Sequence, residues 1–315
     1  MLQQTQVKTV IPYFNRWVKR FPTVESLAKA KIETVLSFWT GLGYYRRCRF
    51  LHEGAQQTVN EHNGKIPDTP ERLQKIKGIG KYTAGAISSI AFGLPAPIVD
   101  GNVERLLSRV FRIEHDVKSK EGQTLLWQLA QWLIPPKSAS DFNQGMMELG
   151  ATVCKPKNPD CQRCPLQAYC RAKKHGDIDS FPIKAKRIGT KEKKKIPYKV
   201  AWLTRRQKIL LCRRHANGLF PGVWELPHAE TKASLKKLFT NPTDVMPKSI
   251  IHFEHVLSHR LLDIKLYPAE IEGKAKLRND LIFDKNKWFS PNELSTIGLS
   301  SAMKTIIEKQ LGVKA

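Results

Sequence analysis

The sequence has no long apolar run and no recognisable export signal. No segment approaches the roughly 18 consecutive apolar residues that a membrane-spanning helix needs. The opening Met1–Gln6 is polar, and no apolar run with a small-residue cleavage site follows it. We therefore expect a cytoplasmic protein, associated with the nucleoid if it binds DNA, without a membrane partner.

Acidic residues are scarce relative to basic ones. Asp and Glu number 28 against 53 Lys and Arg, which gives a formal net charge of +25 and a pI near 9.9. Such a charge attracts polyanions, so nucleic acid is the leading partner, with solubility alone as the alternative. A length of 315 residues exceeds the usual size of one domain and predicts two.

Cysteine is too unevenly spread for a disulfide framework. Cys48 and Cys212 stand alone, and the remaining four fall between positions 154 and 170. Reduced, metal-ligating thiols fit this distribution better. The four are spaced C-x6-C-x2-C-x5-C: Cys154, Cys161, Cys164 and Cys170.

One short cysteine pair with two outlying cysteines matches an iron-sulfur loop better than structural zinc, which usually shows two short pairs. The spacing alone leaves zinc open. The sequence offers no second redox centre, flavin motif or nucleotide site to receive electrons, so we expect a structural role for the metal centre.

The spacing of apolar residues divides the chain into three regions. Helical periodicity runs to about residue 172 and includes the stripe Val7, Ile11, Phe14 and Val18, which we expect in the core. Residues 173–197 are basic with few large apolar side chains and predict a linker. Residues 198–315 predict a mixed α and β domain. Its short β-branched and apolar runs predict four strands, Tyr198–Thr204, Gln207–Cys212, Ser249–Glu254 and Leu261–Tyr267, and its helical segments are Leu235–Phe239 and Met303–Leu311.

A glycine turn precedes a helix at residues 76–87. Gly78 and Gly80 permit a tight turn with exposed backbone N–H groups, and the helix that follows presents its positive end. Such a hairpin can bind a phosphate, and Lys77 and Lys81 beside it favour nucleic acid. By itself, the pattern is equally typical of an ordinary helix–helix connection.

Asp100 lies just ahead of an amphipathic helix predicted over Val103 to Val110. By itself, this position is explained by helix N-capping. The order of the motifs is far more specific than any one of them. A glycine hairpin, an Asp at a helix start and the four-cysteine loop together resemble the helix-hairpin-helix base-excision glycosylases.

Within that family the chain resembles the MutY-type adenine glycosylases through four segments: Met1–Val7, Gly41–Arg47, Val99–Val103 and Phe142–Gly150. The resemblance implies a mostly α-helical helix-hairpin-helix glycosylase domain with an iron-sulfur cluster loop, followed by an α+β Nudix-like domain. It also implies a 4Fe-4S cluster on the four cysteines. Double-stranded DNA containing A:8-oxoguanine or A:G mispairs is the implied partner of a monomer.

The resemblance assigns catalytic roles as well. Asp100 matches the carboxylate that stabilises the cation left on the sugar when a flipped adenine departs. Asn102 is expected to hold its geometry. Tyr82 stands where related lyases carry a nucleophilic lysine, which predicts hydrolysis without efficient strand cleavage.

Binding residues follow from the same resemblance. Gln144 is similar to an adenine-edge contact, and Ser258 and His259 match a loop that recognises 8-oxoguanine. Leu257 replaces an aromatic found there in some relatives. Three further residues match positions that fill the vacated space or touch 8-oxoguanine, although Tyr44 is also explained by packing: Gln4, Thr5 and Tyr44. Hairpin contacts to DNA are expected from Gly78, Gly80 and Lys81.

Two departures from the family pattern affect activity. The stretch 218–227 is followed by no dense Glu cluster, so we expect no pyrophosphate hydrolysis. The general-acid Glu of the family lies upstream of the position of Met1, so we expect these 315 residues to excise adenine poorly. The alternatives are a damaged-DNA-binding protein without catalysis and an endonuclease III-like glycosylase/lyase, against which Tyr82 argues.

Overall fold

The computed structural model describes residues 1–3, 5–184, 193–215, 219–241, 243–257, 260–278 and 282–312. The chain forms two compact units, Met1–Val59 with Thr190–Ala315, and Asn60–Gly189. No helix in the described ranges is long and apolar enough to cross a membrane.

The first unit begins with helices around a buried tryptophan. Trp39 lies at the end of the third helix, and its ring meets that of Trp17 edge-on with 5.6 Å between centroids. Thr23 starts the second helix by a reciprocal capping box with Ser26. These helices are α1 (Val7–Arg20), α2 (Val24–Ala28), α3 (Ile32–Trp39) and α4 (Tyr45–His62).

The apolar stripe predicted to lie in the core along α1 is exposed. Its four residues are 61, 53, 53 and 41 % exposed: Val7, Ile11, Phe14 and Val18. An adjoining face is buried instead, through Val10 and Trp17, which pack into the cluster around Trp39. The prediction was wrong because two adjoining faces of α1 carry large apolar residues, and periodicity does not say which of them packs inward.

Helices make up most of the second unit. Its core includes Ile98, Val103, Leu107 and Leu126. The helix predicted over Val103 to Val110 is confirmed and begins two residues earlier, after Asp100. The helices are α5 (Pro70–Leu73), α6 (Lys81–Ala86) with a π-helical continuation (Ile87–Ala91), α7 (Gly101–Phe111), α8 (Lys120–Leu133), α9 (Ala139–Thr152), α10 (Arg171–His175) and a 3₁₀ turn (Ile178–Ser180).

The strand-rich part of the first unit contains, within the described ranges, two sheets. The elements are β1 (Lys194–Trp202), β2 (Thr204–Arg205), β3 (Lys208–Arg214), β4 (Trp224–Glu225), β5 (His228–Ala229), α11 (Lys232–Lys236), β6 (Thr243–Val245), β7 (Ile251–Val256), β8 (Arg260–Ile271), β9 (Phe283–Phe289), a 3₁₀ helix (Pro291–Thr296) and α12 (Ser301–Leu311). One sheet runs β5-β1-β8-β6 with β7 also on β8, and the other runs β2-β3-β4 with β9 on β3.

Strands β1 and β8 pair in parallel over the whole of β1. Their inward side chains, among them Val200 and Ile264, share a core with Ile306 of α12. The α+β character predicted for this part is therefore confirmed, with the four main predicted strands found as β1, β3, β7 and β8.

Secondary structure extends into both ends of the predicted linker, residues 173–197. Its first residues belong to α10, and β1 already begins at Lys194. Pro197 tolerates a strand here because β5 bonds β1 only at Lys199 and Val200, so the proline lies outside the part bonded on both edges. Residues 185–192 lie outside the described residues.

The first 59 residues pack with the strand-rich part. The Tyr45 hydroxyl donates to the carbonyl oxygen of Leu299 at 2.5 Å, and Arg213 pairs with Glu33 at 2.7 Å. A Cβ on Gly298 would lie 2.9 Å from the Cβ of Leu36, so the glycine permits this close approach. The domain boundaries predicted at residues 172 and 198 stay a prediction.

Candidate nucleic-acid and catalytic site

The glycine hairpin joins α5 to α6 in the second unit. Gly78 has φ +83°, a left-handed conformation that favours glycine, and Gly80 is the extended residue before α6. No side-chain hydrogen bond caps the N terminus of α6, and the N terminus of a helix carries partial positive charge that favours an anion. The ammonium of Lys81 lies 4.0 Å from the centre of the Trp127 ring, which holds it beside the hairpin.

Asp100 is the N-cap of α7, as the capping interpretation predicts. Its Oδ1 accepts hydrogen bonds from the backbone N–H groups of Asn102 (2.9 Å) and Val103 (2.8 Å). Its Oδ2 accepts from the Asn102 side-chain amide at 3.2 Å. Both oxygens are thereby fixed in orientation, which is also what a carboxylate needs to act on a reacting centre.

Tyr82 lies in α6 and is half-buried. Burial, followed by the negative charge of Asp100, raises the pKa of the Tyr82 phenol. Its hydroxyl donates a weak hydrogen bond to the Met147 sulfur at 3.3 Å. The phenol therefore stays protonated and uncharged near the carboxylate, where a lysine amine would be a nucleophile.

A close helix contact supports Asn102. A Cβ added to Gly150 of α9 would lie 2.7 Å from the Asn102 Cβ, so this position needs glycine for α9 to approach α7. The buried guanidinium of Arg105 donates to the Asn102 side-chain oxygen (3.0 Å) and to the Gly150 carbonyl oxygen (2.6 Å). The same group donates through Nε to the carbonyl oxygen of Cys154 at 2.7 Å.

Arg109, one turn further along α7, is 2 % exposed and donates hydrogen bonds to the cysteine loop. Its Nη1 lies 3.4 Å from the Cys154 sulfur and 2.7 Å from the Lys155 carbonyl oxygen. Further donor bonds run to the carbonyl oxygens of Pro156 and Phe181. Helix α7 thus links the predicted catalytic carboxylate to the predicted metal ligands through buried hydrogen bonds.

The four predicted cysteine ligands line one cavity, together with Arg109 and Lys173. It contains about 360 Å³ of unfilled space, part of it open to solvent. Burial, and then the neighbouring thiols, raise the pKa of Cys161. Cys154, Cys164 and Cys170 line the same cavity as Cys161.

The residues that line this cavity suit an iron-sulfur cluster, because all four cysteines face it. The donor set is all thiol, which suits iron-sulfur chemistry.

Gln144 lies on the exposed side of α9, as a base contact requires. Its amide nitrogen donates within its own helix turn to the Ser140 hydroxyl at 3.0 Å. The preceding Asn143 is buried and holds α9 to its neighbours by donating to Ser89 Oγ (2.8 Å) and to the Ala96 carbonyl oxygen (2.9 Å).

The remaining predicted contacts belong to the first unit. Thr5 precedes α1, and Tyr44 precedes α4 with its side chain partly open to solvent. Packing alone does not explain Tyr44, since the residue is 45 % exposed. Three predicted contacts lie outside the described residues: Gln4, Ser258 and His259. Leu257, at the end of the described part of that loop, packs against the sheet core.

Sequence reasoning missed the two arginines of α7. Arg105 and Arg109 follow Gly101 at intervals of four residues, so they share one helix face. Arginines that stand next to apolar residues along a helix, here Leu106 and Val110, are a signal of buried charge with fixed partners. Their partners are backbone atoms of a loop far along the chain, which no residue pattern identifies.

Comparison with known proteins covers both units. The sequence matches the HhH-GPD superfamily of base excision DNA repair proteins over residues 1–131, the iron-sulfur binding domain of endonuclease III over 154–170 and the NUDIX domain over 199–309. It is 37 % identical to an adenine DNA glycosylase of Rattus norvegicus over 358 aligned residues, 97 % of this chain and 69 % of the relative.

A second adenine DNA glycosylase, from Buchnera aphidicola, is 33 % identical over 314 aligned residues, 98 % of this chain and 87 % of that relative. Among solved structures, a thermostable thymine-DNA glycosylase superposes with a TM-score of 0.52 at 27 % identity. The match covers 55 % of this chain and 80 % of that structure.

Proposed function

Because the chain belongs to the adenine DNA glycosylase family, it is a DNA glycosylase of base excision repair, and we propose that its substrate is adenine paired with 8-oxoguanine or guanine. DNA is its partner, and a 4Fe-4S cluster is its cofactor. The observation that carries the proposed mechanism is the fixed carboxylate of Asp100 at the start of α7.

Asp100 stabilises the positive charge that develops on the sugar as adenine leaves. An adenine rotated out of the duplex presents its glycosidic bond to a pocket. A carboxylate already held by two backbone N–H groups needs no rearrangement to face the developing cation, so it favours the transition state over the ground state. Asn102 keeps the second oxygen in place.

Tyr82 supports hydrolysis rather than lyase chemistry. A lyase requires an amine that forms a covalent bond with the sugar. The phenol of Tyr82 remains neutral and donates to Met147, so water is the expected nucleophile. Gln144 is proposed to exchange its contact with Ser140 for the edge of the flipped adenine.

DNA is proposed to approach the hairpin end of the second unit. The uncapped N–H groups of α6 and the ammonium of Lys81 offer a phosphate site. Cys154, Cys161, Cys164 and Cys170 would hold the cluster, and once bound the cluster supplies a cross-link between the two ends of the loop. Arg105 and Arg109 connect that loop to α7.

Substitution of Asp100 tests the mechanism. Asp100→Asn retains a good N-cap, so α7 is expected to stay folded, but it removes the negative charge. We expect the rate of adenine release from an A:8-oxoguanine duplex to fall by at least about 100-fold under single-turnover conditions. Duplex affinity is expected to change little.

A matched variant separates two causes of slower adenine release, the loss of the Asp100 charge and the weakening of a helix N terminus. Ser119→Ala removes another helix N-cap, at α8, and is expected to leave the release rate within about threefold of the unmodified chain. Near-normal release by Asp100→Asn would remove Asp100 from the proposed role. A strong covalent complex trapped by borohydride would contradict hydrolysis and favour a lyase.

A further inference from the structure

Arg47 holds the chain segment that precedes α1. Its Nη1 donates to the carbonyl oxygen of Met1 at 3.1 Å and also to the carbonyl oxygen of Gln3, and its Nη2 donates to the Thr5 hydroxyl at 3.2 Å. Arg47 itself lies in the first turn of α4. One guanidinium therefore fixes a segment that is remote from it in sequence.

The same guanidinium lies against two aromatic rings. Its carbon is 5.1 Å from the centre of the Tyr44 ring and 5.5 Å from that of Trp39. Trp39 is buried, so it gives the guanidinium a rigid base. Tyr44 is partly exposed, so its ring position depends more on this contact.

The loop that carries Tyr44 has a set shape. Tyr44 has φ +49°, an uncommon left-handed conformation for a non-glycine residue. The Trp39 indole N–H donates to the Gly43 carbonyl oxygen at 2.9 Å and thereby fixes the loop to α3. Arg47 completes this arrangement by tying the Tyr44 ring to the segment that contains Thr5.

From these contacts we propose that Arg47 is a positioning residue that sets Thr5 and Tyr44 in one arrangement to recognise the base opposite the adenine. The inference rests on the proposed function, because Thr5 and Tyr44 are proposed to touch that base. Arg47 acts through them: its terminal nitrogens donate to the segment before α1, and its guanidinium carbon lies over the two rings.

Lysine is not expected to replace arginine at this position. An ammonium is a single centre, whereas the guanidinium directs separate N–H groups to separate acceptors while its carbon lies over the two rings. A charge-retaining substitution therefore separates this geometric role from simple attraction to DNA phosphates. Arg46 provides a matched control, since it is an exposed arginine on the same helix turn that lies over Phe50.

Equilibrium binding to two duplexes tests the proposal. Both duplexes carry the same hydrolysis-resistant adenine analogue, opposite 8-oxoguanine in one and guanine in the other. The measured quantity is the ratio of the two Kd values, and affinity for undamaged duplex and circular dichroism report folding. We expect Arg47→Lys and Arg47→Met each to lower the preference for 8-oxoguanine roughly tenfold, about the effect of losing a charged hydrogen bond.

Arg46→Met is expected to leave the ratio unchanged while weakening binding to both duplexes by a similar factor. In a Thr5→Val, Tyr44→Leu background, substitution of Arg47 is expected to lower the preference no further.

An unchanged ratio in a folded Arg47→Lys protein would overturn the proposal, as would a further loss in the double-variant background, which would indicate direct contact with the lesion. If Arg47→Met does not fold, Arg47→Lys decides. Equal affinity of the unmodified chain for both duplexes would contradict the proposed 8-oxoguanine recognition itself and, with it, this inference.

Discussion

Glu225 is a fully buried carboxylate that lies within hydrogen-bond distance of Arg214 and His228. Its Oε2 lies 3.1 Å from Arg214 Nη1 and 3.1 Å from His228 Nε2. The Tyr198 ring stacks on His228 at 4.1 Å. Burial by itself raises the pKa of Glu225, but the hydrogen bond and charge of His228 and the charge of Arg214 outweigh burial and lower it.

The lowered pKa predicts a pH dependence of stability. A carboxyl group with a folded pKa below its unfolded value of about 4.3 stabilises the fold above that pH, and this contribution is lost as pH falls through the folded value. Glu225→Gln leaves Arg214 and any charge on His228 buried without a counter-charge. We expect it to lower the free energy of unfolding by about 3–5 kcal/mol at pH 7.

Unfolding by guanidinium chloride at pH 7 and at about pH 3.5 checks this prediction. The loss in free energy of unfolding caused by Glu225→Gln is expected to be smaller at the lower pH. Glu230→Gln, an exposed position in the same segment, is the control and is expected to cost less than about 0.5 kcal/mol. An equal penalty for Glu225→Gln at both pH values would contradict the assigned ionisation.

Individual roles were predictable where they depend on local pattern. The N-cap role of Asp100 follows from its place before an amphipathic helix, and the structure confirms it. Arg105 and Arg109 were not predictable, because their partners are carbonyl oxygens and a thiol brought near only by tertiary folding. Arg47 lies within a motif visible in the sequence, but its contact with Thr5 depends on how α1 and α4 pack.

At the scale of elements, the contact between α7 and α9 depends on a glycine, Gly150. Gly150→Ala would place a Cβ 2.7 Å from the Asn102 Cβ and 2.9 Å from its carbonyl oxygen. We expect the helices to separate and the free energy of unfolding to fall by about 1–3 kcal/mol. Adenine release is expected to slow as well, since Asn102 holds the Asp100 carboxylate.

Gly145→Ala on the same helix is the matched control. A Cβ there meets no atom within 4 Å, so alanine is expected to stabilise α9 by up to about 1 kcal/mol. Thermal unfolding and the single-turnover rate measure both effects. A Gly150→Ala protein as stable and as fast as the Gly145→Ala protein would show that the close approach is not needed.

Elements were predicted well where the hydrophobic pattern has one interpretation. The main strands of the Nudix-like part alternate or run apolar between turns, and the structure has them with shifted ends. The segment predicted as a helix from Leu235 to Phe239 is helical only to Lys236, having begun at Lys232 after the Thr231 cap. The exposed stripe of α1 shows the limit, because side-chain spacing gives the faces but not the partner.

For the whole molecule, the excess of basic residues predicts salt-sensitive DNA binding. Each phosphate contact releases counterions, so a protein with 6–10 such contacts loses about 10³–10⁵ in affinity between 50 and 200 mM salt. With a net charge of +25 we expect the affinity for undamaged duplex to fall by a factor in that range. The slope of log affinity against log salt concentration reports this fall. Fluorescence anisotropy across the salt series measures it.

Asp100→Asn is expected to show the same slope as the unmodified chain, since Asp100 is not proposed to touch phosphates. An affinity nearly independent of salt would contradict binding driven by the basic surface. The expectation of a monomer stays a prediction.

At this scale the function was predictable because the order of motifs is specific. The hairpin, Asp100 and the cysteine loop each had an ordinary explanation, and their sequence along the chain identified the family. The arrangement of the proposed recognition residues was not predictable, since the contacts of Arg47 with Thr5 and with Tyr44 depend on tertiary folding.

The N-cap position of Asp100, together with its proposed catalytic role, has a consequence for inheritance. Because Asn caps a helix as well as Asp, a single-base change to Asn would yield a protein that folds, accumulates and still finds its mispairs. Such a protein would occupy lesions without releasing the adenine and would shield them from the intact enzyme. We expect this allele to act dominantly, whereas an allele that unfolds α7 would be removed by proteolysis and behave as recessive.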